Sequence, residues 1–241
     1  GGNHWKVTPM EIEGAKVSKI NNIFAINSST IYATFAYGYP GIFGICVSHD
    51  LGLTWKSIGI EPTGINYHSV VFLDSNVGFV NRSSILIKTE DGGKTWKEVN
   101  RVTGLTGSGR TFFTSRMVGY IYGGATFDGQ SSGLILKTED EGETWKNLPF
   151  NGQNGEVTGL YFKSDHEGYA FTALQKAFKT TDGGATWTLL WDDLPGTSFS
   201  VAVADGYLYF GASGKIYRSN SDLSDYSLIY ASPSGTAFLD Y

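Results

Sequence analysis

The 241-residue chain holds one cysteine, Cys46, so no intrachain disulfide can form and no zinc site of the usual paired-cysteine spacing exists. Its neighbours Ile45 and Val47 mark it as a buried strand residue rather than a reactive thiol. No run of 18 apolar residues occurs, which excludes a membrane-spanning helix. Lys and Arg never cluster, and the net charge is −5. A nucleic-acid surface, which needs grouped cations to displace counterions from phosphates, is therefore not expected. The four histidines, His4, His49, His68 and His166, are scattered, so neither a metal nor a cofactor is expected. Charged residues make up only 17%, and no stretch of a dozen residues keeps a 3.6-residue apolar period, which removes helical bundles. The chain starts at Gly1-Gly2 with neither an initiator Met nor a signal peptide, as a mature or trimmed polypeptide would.

What is present in quantity is glycine, 32 residues, and aromatics, 15%. Many glycines with many rings and few charges describe short strands joined by tight turns, because turns need positive φ and strands favour Tyr, Phe, Trp and Val. With 41% hydrophobic residues the chain can bury a core. We read it as all-β and as one domain over residues 1–241.

A repeat dominates the sequence. Ser48-His49-Asp50-Leu51-Gly52-Leu53-Thr54-Trp55, Thr89 to Trp96, Thr138 to Trp145 and Thr180 to Trp187 all obey [Ser/Thr]-x-Asp-x-Gly-x-Thr-Trp. A decayed fifth copy runs Ser219 to Tyr226, and the final positions lie 41, 49, 42 and 39 residues apart, the length of a four-stranded propeller blade. A short apolar strand precedes each copy, such as Ile42 to Val47 or Ile85 to Ile87, and another follows. The motif is thus a hairpin turn. Its aspartates, Asp50, Asp91, Asp140 and Asp182, can accept loop N–H groups. Its glycines, Gly52, Gly93, Gly142 and Gly184, can take positive φ. Trp55, Trp96, Trp145 and Trp187 can bury a ring against an adjoining sheet.

These residues resemble the Asp-box, or BNR, repeat of sialidases, sortilin-type receptors, xyloglucanases and photosystem II assembly factors, over nearly the whole chain. The resemblance implies a β-propeller with the boxes at the turn between third and fourth strands, away from the ligand funnel. The boxes are then scaffold.

Five blades are expected from strand pairs such as Ser69 to Asp74 with Val77 to Val80, and Thr158 to Phe162 with Gly168 to Phe171. Gly1 to Val7 matches the tail of a box, and Gly235 to Asp240 matches a first strand, so six blades with one incomplete is the alternative. Between the boxes the other loops, among them Asn100 to Arg110 and Phe127 to Ser132, vary in length and composition, and variability suits function. They carry the expected ligand residues Tyr39, Tyr67, His68, Arg82, Arg110, Asp128, Gln130, Gln175 and Trp191, with Asn154 and Asp192 beside them. Rings with amides suit a sugar or a peptide.

Sialidase chemistry as the family runs it needs three converging arginines, a Tyr-Glu nucleophile pair and an Asp. The chain holds only five arginines, Arg82, Arg101, Arg110, Arg116 and Arg218, and lacks an Arg-Ile-Pro segment. No catalytic residue is assigned. The assembly factors carry an arginine-rich patch on seven blades, more of both than this chain offers. The expected function is a monomeric, non-catalytic module binding carbohydrate or protein, on an exported protein at an extracellular, periplasmic or surface-anchored location. A sialidase-like glycoside hydrolase is the alternative, and an assembly-factor scaffold the second alternative.

Overall fold

A computed structural model describes residues 9–38, 41–61, 65–101, 105–127, 130–150, 155–196, 200–212, 214–220 and 222–231. They form the five-bladed β-propeller fold, with no helix among them. The two end segments that raised the six-blade alternative lie outside the described residues.

By contact density the chain divides into two compact units, Gly1–Val102 and Thr103–Tyr241. The first holds a two-stranded ribbon, β1 (Glu11–Ile12) with β2 (Ala15–Lys16), and two blades. Blade 1 is β3 (Lys19–Ala25), β4 (Ile31–Tyr37), β5 (Ile42–Ser48) and β6 (Lys56–Glu61). Blade 2 is β7 (Tyr67–Phe72), β8 (Gly78–Arg82), β9 (Ile85–Thr89) and β10 (Lys97–Arg101).

The second unit holds three blades. Blade 3 is β11 (Leu105–Phe113), β12 (Gly119–Phe127), β13 (Gln130–Thr138) and β14 (Lys146–Asn147). Blade 4 is β15 (Val157–Phe162), β16 (Gly168–Thr172), β17 (Ala177–Thr180) and β18 (Thr188–Trp191). Blade 5 is β19 (Ser200–Ala204), β20 (Tyr207–Ala212), β21 (Lys215–Asn220) and β22 (Tyr226–Ala231). Every blade is an antiparallel meander in chain order.

Apolar strand residues pack neighbouring blades face to face. Tyr32, Ile45, Val70, Phe72 and Val80 join blades 1 and 2. Tyr120, Ile135, Leu160 and Phe162 join blades 3 and 4, and Phe171, Leu208 and Phe210 join blades 4 and 5. Burial of such side chains at ~1.5–3 kcal/mol each is the main force holding a blade stack together.

A second repeated device sits where the first strand hands over to the second. Phe72 pairs Gly78, Phe113 pairs Gly119 and Phe162 pairs Gly168. In each pair the ring lies directly over the glycine, so that an added Cβ would be 2.6 Å from it. Glycine is required there by close approach, not by φ.

One expectation is corrected. Asn100 to Arg110 and Phe127 to Ser132 read as loops, but Leu105–Arg110 belong to β11, and Phe127 and Gln130–Ser132 close the β12–β13 ladder. The segments are rich in Gly, Ser and Thr and so look like turn chemistry. Pairing with the nine-residue β12 pulls them into the sheet.

Candidate functional site

The boxes come first, because they carry most of the sequence signal. Each lies between third and fourth strands: 48–55 between β5 and β6, 89–96 between β9 and β10, 138–145 between β13 and β14, and 180–187 between β17 and β18. In the second copy Asp91 accepts from the Thr95 N–H (2.9 Å) and hydroxyl (2.6 Å), while the Thr89 hydroxyl accepts from the Gly93 N–H (2.8 Å). Asp50, Asp140 and Asp182 repeat the pattern. Hydrogen bonds to the charged form hold all four carboxyls at about 2, below the ordinary range, the Thr54, Thr95, Thr144 and Thr186 hydroxyls contributing most. Gly52, Gly93, Gly142 and Gly184 have φ of 82, 88, 80 and 92°, the left-handed region the sequence demanded.

Each box is also tied to its own blade. The N–H of the residue after the Asp donates to the turn between first and second strands: Leu51 to Ser29 O, Gly92 to Asn76 O, Glu141 to Met117 O and Gly183 to His166 O. The second and fourth boxes further dock on the preceding blade. Gly93 faces Ile58 of β6 and Trp96 Nε1 donates to Ile58 O (3.3 Å), while Gly184 faces Leu148, just past β14. The carboxylates are consumed by their own turns, and Gly93, Gly184 and Trp96 take part in joints between blades.

Sequence reasoning missed a companion device. The residue just before the box is Lys88, Lys137 or Lys179 in blades 2 to 4. Each ammonium sits over the ring it pairs in the second strand, Phe79, Tyr120 and Tyr169, at 5.6 to 5.9 Å. Each also meets a carboxylate, Glu90, Glu139 and Glu167 respectively. The signal was present, a Lys at one fixed offset from three boxes.

The variable-loop residues divide sharply. Tyr39 and Asp128 lie outside the described residues, as does Asn154, and of Gln130 only the backbone is described. Tyr67 is 3% exposed, because it turns into the blade 1–2 core, so it offers no stacking face. Trp191 donates its indole N–H to Leu223 O (2.8 Å) and packs edge-on against Tyr226, which makes it part of the joint between blades 4 and 5. Both placements have one cause: at a strand end an aromatic is drawn into the nearest blade interface.

His68 occupies a bulge, since the pairing of β7 with β8 shifts between Tyr67 and Ser69. It is half-buried, and burial with the charge of Lys19 holds its imidazole below the usual range. Arg82 pairs with Tyr67 in register and is half-buried. Gln175 stands at φ 62° in the β16–β17 turn, where its carbonyl accepts from the Leu194 N–H (2.7 Å).

The structure brings one group of polar side chains together, in blades 3 and 4. Arg110 pairs with Tyr122 in register and hydrogen-bonds its hydroxyl. Tyr122 is buried, and burial raises its phenol above the usual range while Arg110 pulls it back. Glu156 lies across Gly124: a Cβ there would be 3.0 Å from its carboxyl carbon. Burial raises the Glu156 carboxyl, and the charge of Arg110 opposes the shift. Nearby in chain and turn, Ala173 N–H donates to Glu156 O, and Lys176 pairs with Asp192 at 2.8 Å. Beyond Tyr122 the β12–β13 ladder continues through Gly123↔Leu134 to Phe127↔Gln130, a longer hairpin than in any other blade. The arrangement is a half-buried guanidinium beside a carboxyl that is easier to protonate than usual, under a projecting hairpin. It can exchange an internal charge partner for an anionic or hydrogen-bonding group from outside.

No functionally curated protein sequence matches this chain. Among solved structures, YCF48 bound to D1 peptide is similar, with TM-score 0.63 and 19% identity over 94% of this chain and 70% of that one. A nidogen/laminin complex gives TM-score 0.67 at 15% identity over 90% and 81%. The GH74 xyloglucanase from Xanthomonas campestris gives 0.67 at 14% over 88% and 38%. At such identities these show a shared propeller fold and no more. The family model is more specific, because it spans the boxes themselves, and it favours the relationship that the arginine and blade counts had ranked lowest. Since that model matches residues 47–218, most of the chain, the protein belongs to the family described as photosynthesis system II assembly factor YCF48.

Proposed function

We propose that the chain is a non-catalytic protein-recognition module, an assembly-factor propeller that captures an extended, anion-bearing segment of a partner protein at Arg110. The observation that carries this reading is the Arg110–Tyr122–Glu156 group: a half-buried guanidinium paired in register with a buried tyrosine, whose charge reaches the half-buried Glu156 carboxyl. A fixed guanidinium fork favours carboxylate or phosphate over sugar hydroxyls. Two further points support it. A similar structure is described as YCF48 bound to D1 peptide. Tyr67, which a sugar would have used for stacking, is buried.

Fluorescence polarisation with extended peptides that differ only in acidic residues tests the reading. Acidic peptides are expected to bind better, and Arg110→Gln to weaken them roughly tenfold or more, the value of a charge-assisted hydrogen bond. Equal affinity in wild type and Arg110→Gln, or saturable binding only on a glycan array, would defeat it.

A further inference from the structure

The group around Arg110 contains a rival for any anion that comes to it. Alternate side chains of β12 face the same way, and Tyr120 and Tyr122 face blade 4, where they pack with Leu160, Phe162 and Ala170. Gly124, two positions beyond Tyr122, shares that face. Arg110 stands opposite Tyr122 on β11 and shares it too. Glu156 reaches the same face from blade 4. A Cβ on Gly124 would meet its carboxyl carbon at 3.0 Å, its Cγ at 3.1 Å and its Oε2 at 3.3 Å. The carboxyl thus rests on a position that has no side chain, about 7 Å along the strand from the residue that Arg110 pairs.

The charged and titratable groups on the elements packed around Glu156 are, among the described residues, Arg110, Tyr122, Lys137, Lys176, Lys179 and Asp192. Lys176 is bound to Asp192 at 2.8 Å, Lys137 to Glu139 and Lys179 to Glu167. Tyr122 is buried, and burial holds its phenol above the usual range, so it stays neutral where a carboxyl titrates. Arg110 is the cation whose charge reaches Glu156, against the upward push that burial gives its carboxyl.

We propose that Glu156 is a proton-operated competitor for Arg110: ionised, it engages the charge of the guanidinium, and protonated, it yields that charge to the anionic group of the captured segment. This rests on the reading of Arg110 as the capture residue and adds how the capture is regulated. Two anions share one guanidinium. When a carboxylate or phosphate arrives from outside, the Glu156 carboxylate loses part of its counter-charge and gains a like charge beside it. Both changes favour its protonated form. Capture therefore takes up a proton from solvent, and by linkage affinity rises as pH falls through the Glu156 titration.

The probe is an extended peptide whose acidic residues are cysteic acid, because sulfonates stay ionised throughout. Fluorescence polarisation with the full chain from about pH 8 to about pH 5 should show affinity rising roughly threefold or more toward acid, within the roughly tenfold per pH unit that one proton allows. Calorimetry of the wild type in two buffers of different ionisation enthalpy should show net proton uptake on binding, a readout that needs no variant. Glu156→Gln should bind at the alkaline end as tightly as the wild type does at the acid end, with a flat profile and no proton uptake. A wild type that binds without proton uptake overturns the proposal. So does a pH profile that Glu156→Gln retains, which would belong to the histidines. If in either case Arg110→Gln still weakens the peptide, the recognition reading survives without this regulation. Affinity that Arg110→Gln leaves unaltered overturns both.

Discussion

In each Asp box the carboxylate is spent on its own loop. Asp91 takes both Thr95 donors and the Thr89 hydroxyl, which leaves it as a knot in the turn. The four carboxyls, lowered from 3.8 to about 2, make a shared pH dependence. Their folded-state pKa lies below the unfolded value, so their contribution is fully present above pH ~4 and is lost as pH falls through ~2. Thermal melts should therefore drop steeply from pH 4 to pH 2, and Asp91→Asn should flatten part of that drop while lowering the melting temperature at neutral pH. An Asp91→Asn protein with an unaltered acid limb would remove the boxes from the explanation. These residues were legible in the sequence because a fixed offset of Ser/Thr, Asp, Gly and Thr has one economical geometry. Lys88, Lys137 and Lys179 occupy an equally fixed offset, but a lysine on a strand reads as solvated until its ring partner across the ladder is known.

At the scale of the strand pair, a ring over a glycine sets how tightly first and second strands approach. Gly168→Ala puts a methyl 2.6 Å from the Phe162 ring, and that ring is itself stacked on Tyr120 of the neighbouring blade at 4.0 Å. It cannot retreat without disturbing the blade 3–4 core. We expect Gly168→Ala to cost about 1–3 kcal/mol, as overpacking does, and Gly168→Ala with Phe162→Leu to recover part of that in denaturant melts. Strictly additive losses would mean the ring does not set the spacing. Strands were legible where short apolar and aromatic runs lie between turn residues, as in Leu160–Phe162. They failed at Leu105–Arg110 and at the tip of β12–β13, where Gly and Ser in a long ladder look like a loop. The same failure obscured the surroundings of Arg110: it was expected as a ligand residue on a loop, whereas it pairs with Tyr122 across the ladder and feels the charge of Glu156 lying over Gly124, pairings no local window contains.

Within each unit a blade rests on its sequence neighbour through a defined joint, and stability of such repeats sums over repeats and nearest-neighbour joints. The joint between blades 1 and 2 has three identifiable parts: Gly93 on Ile58, the Trp96 indole on Ile58 O, and the stacked pair Tyr32–Phe72 at 3.5 Å. The joint between blades 4 and 5 is made differently, because the decayed fifth box puts Leu223 where the others have glycine, with φ 56°, and Trp191 reaches across to its carbonyl. A nearest-neighbour molecule should respond to injury where it is injured. Trp96→Ala removes the indole donor and a ring that meets Phe72 edge-on at 6.2 Å. Native-state hydrogen exchange should then quicken at the amides of β6, β7 and β8, while those of β16, β20 and β21 keep their protection. Trp191→Phe, which removes the bond to Leu223, should invert the pattern, with β18 and β21 opening first and β4 and β5 unaffected. Uniform loss of protection in both variants would mean that the blades unfold as one cooperative body, and the additive account of the joints would then be wrong.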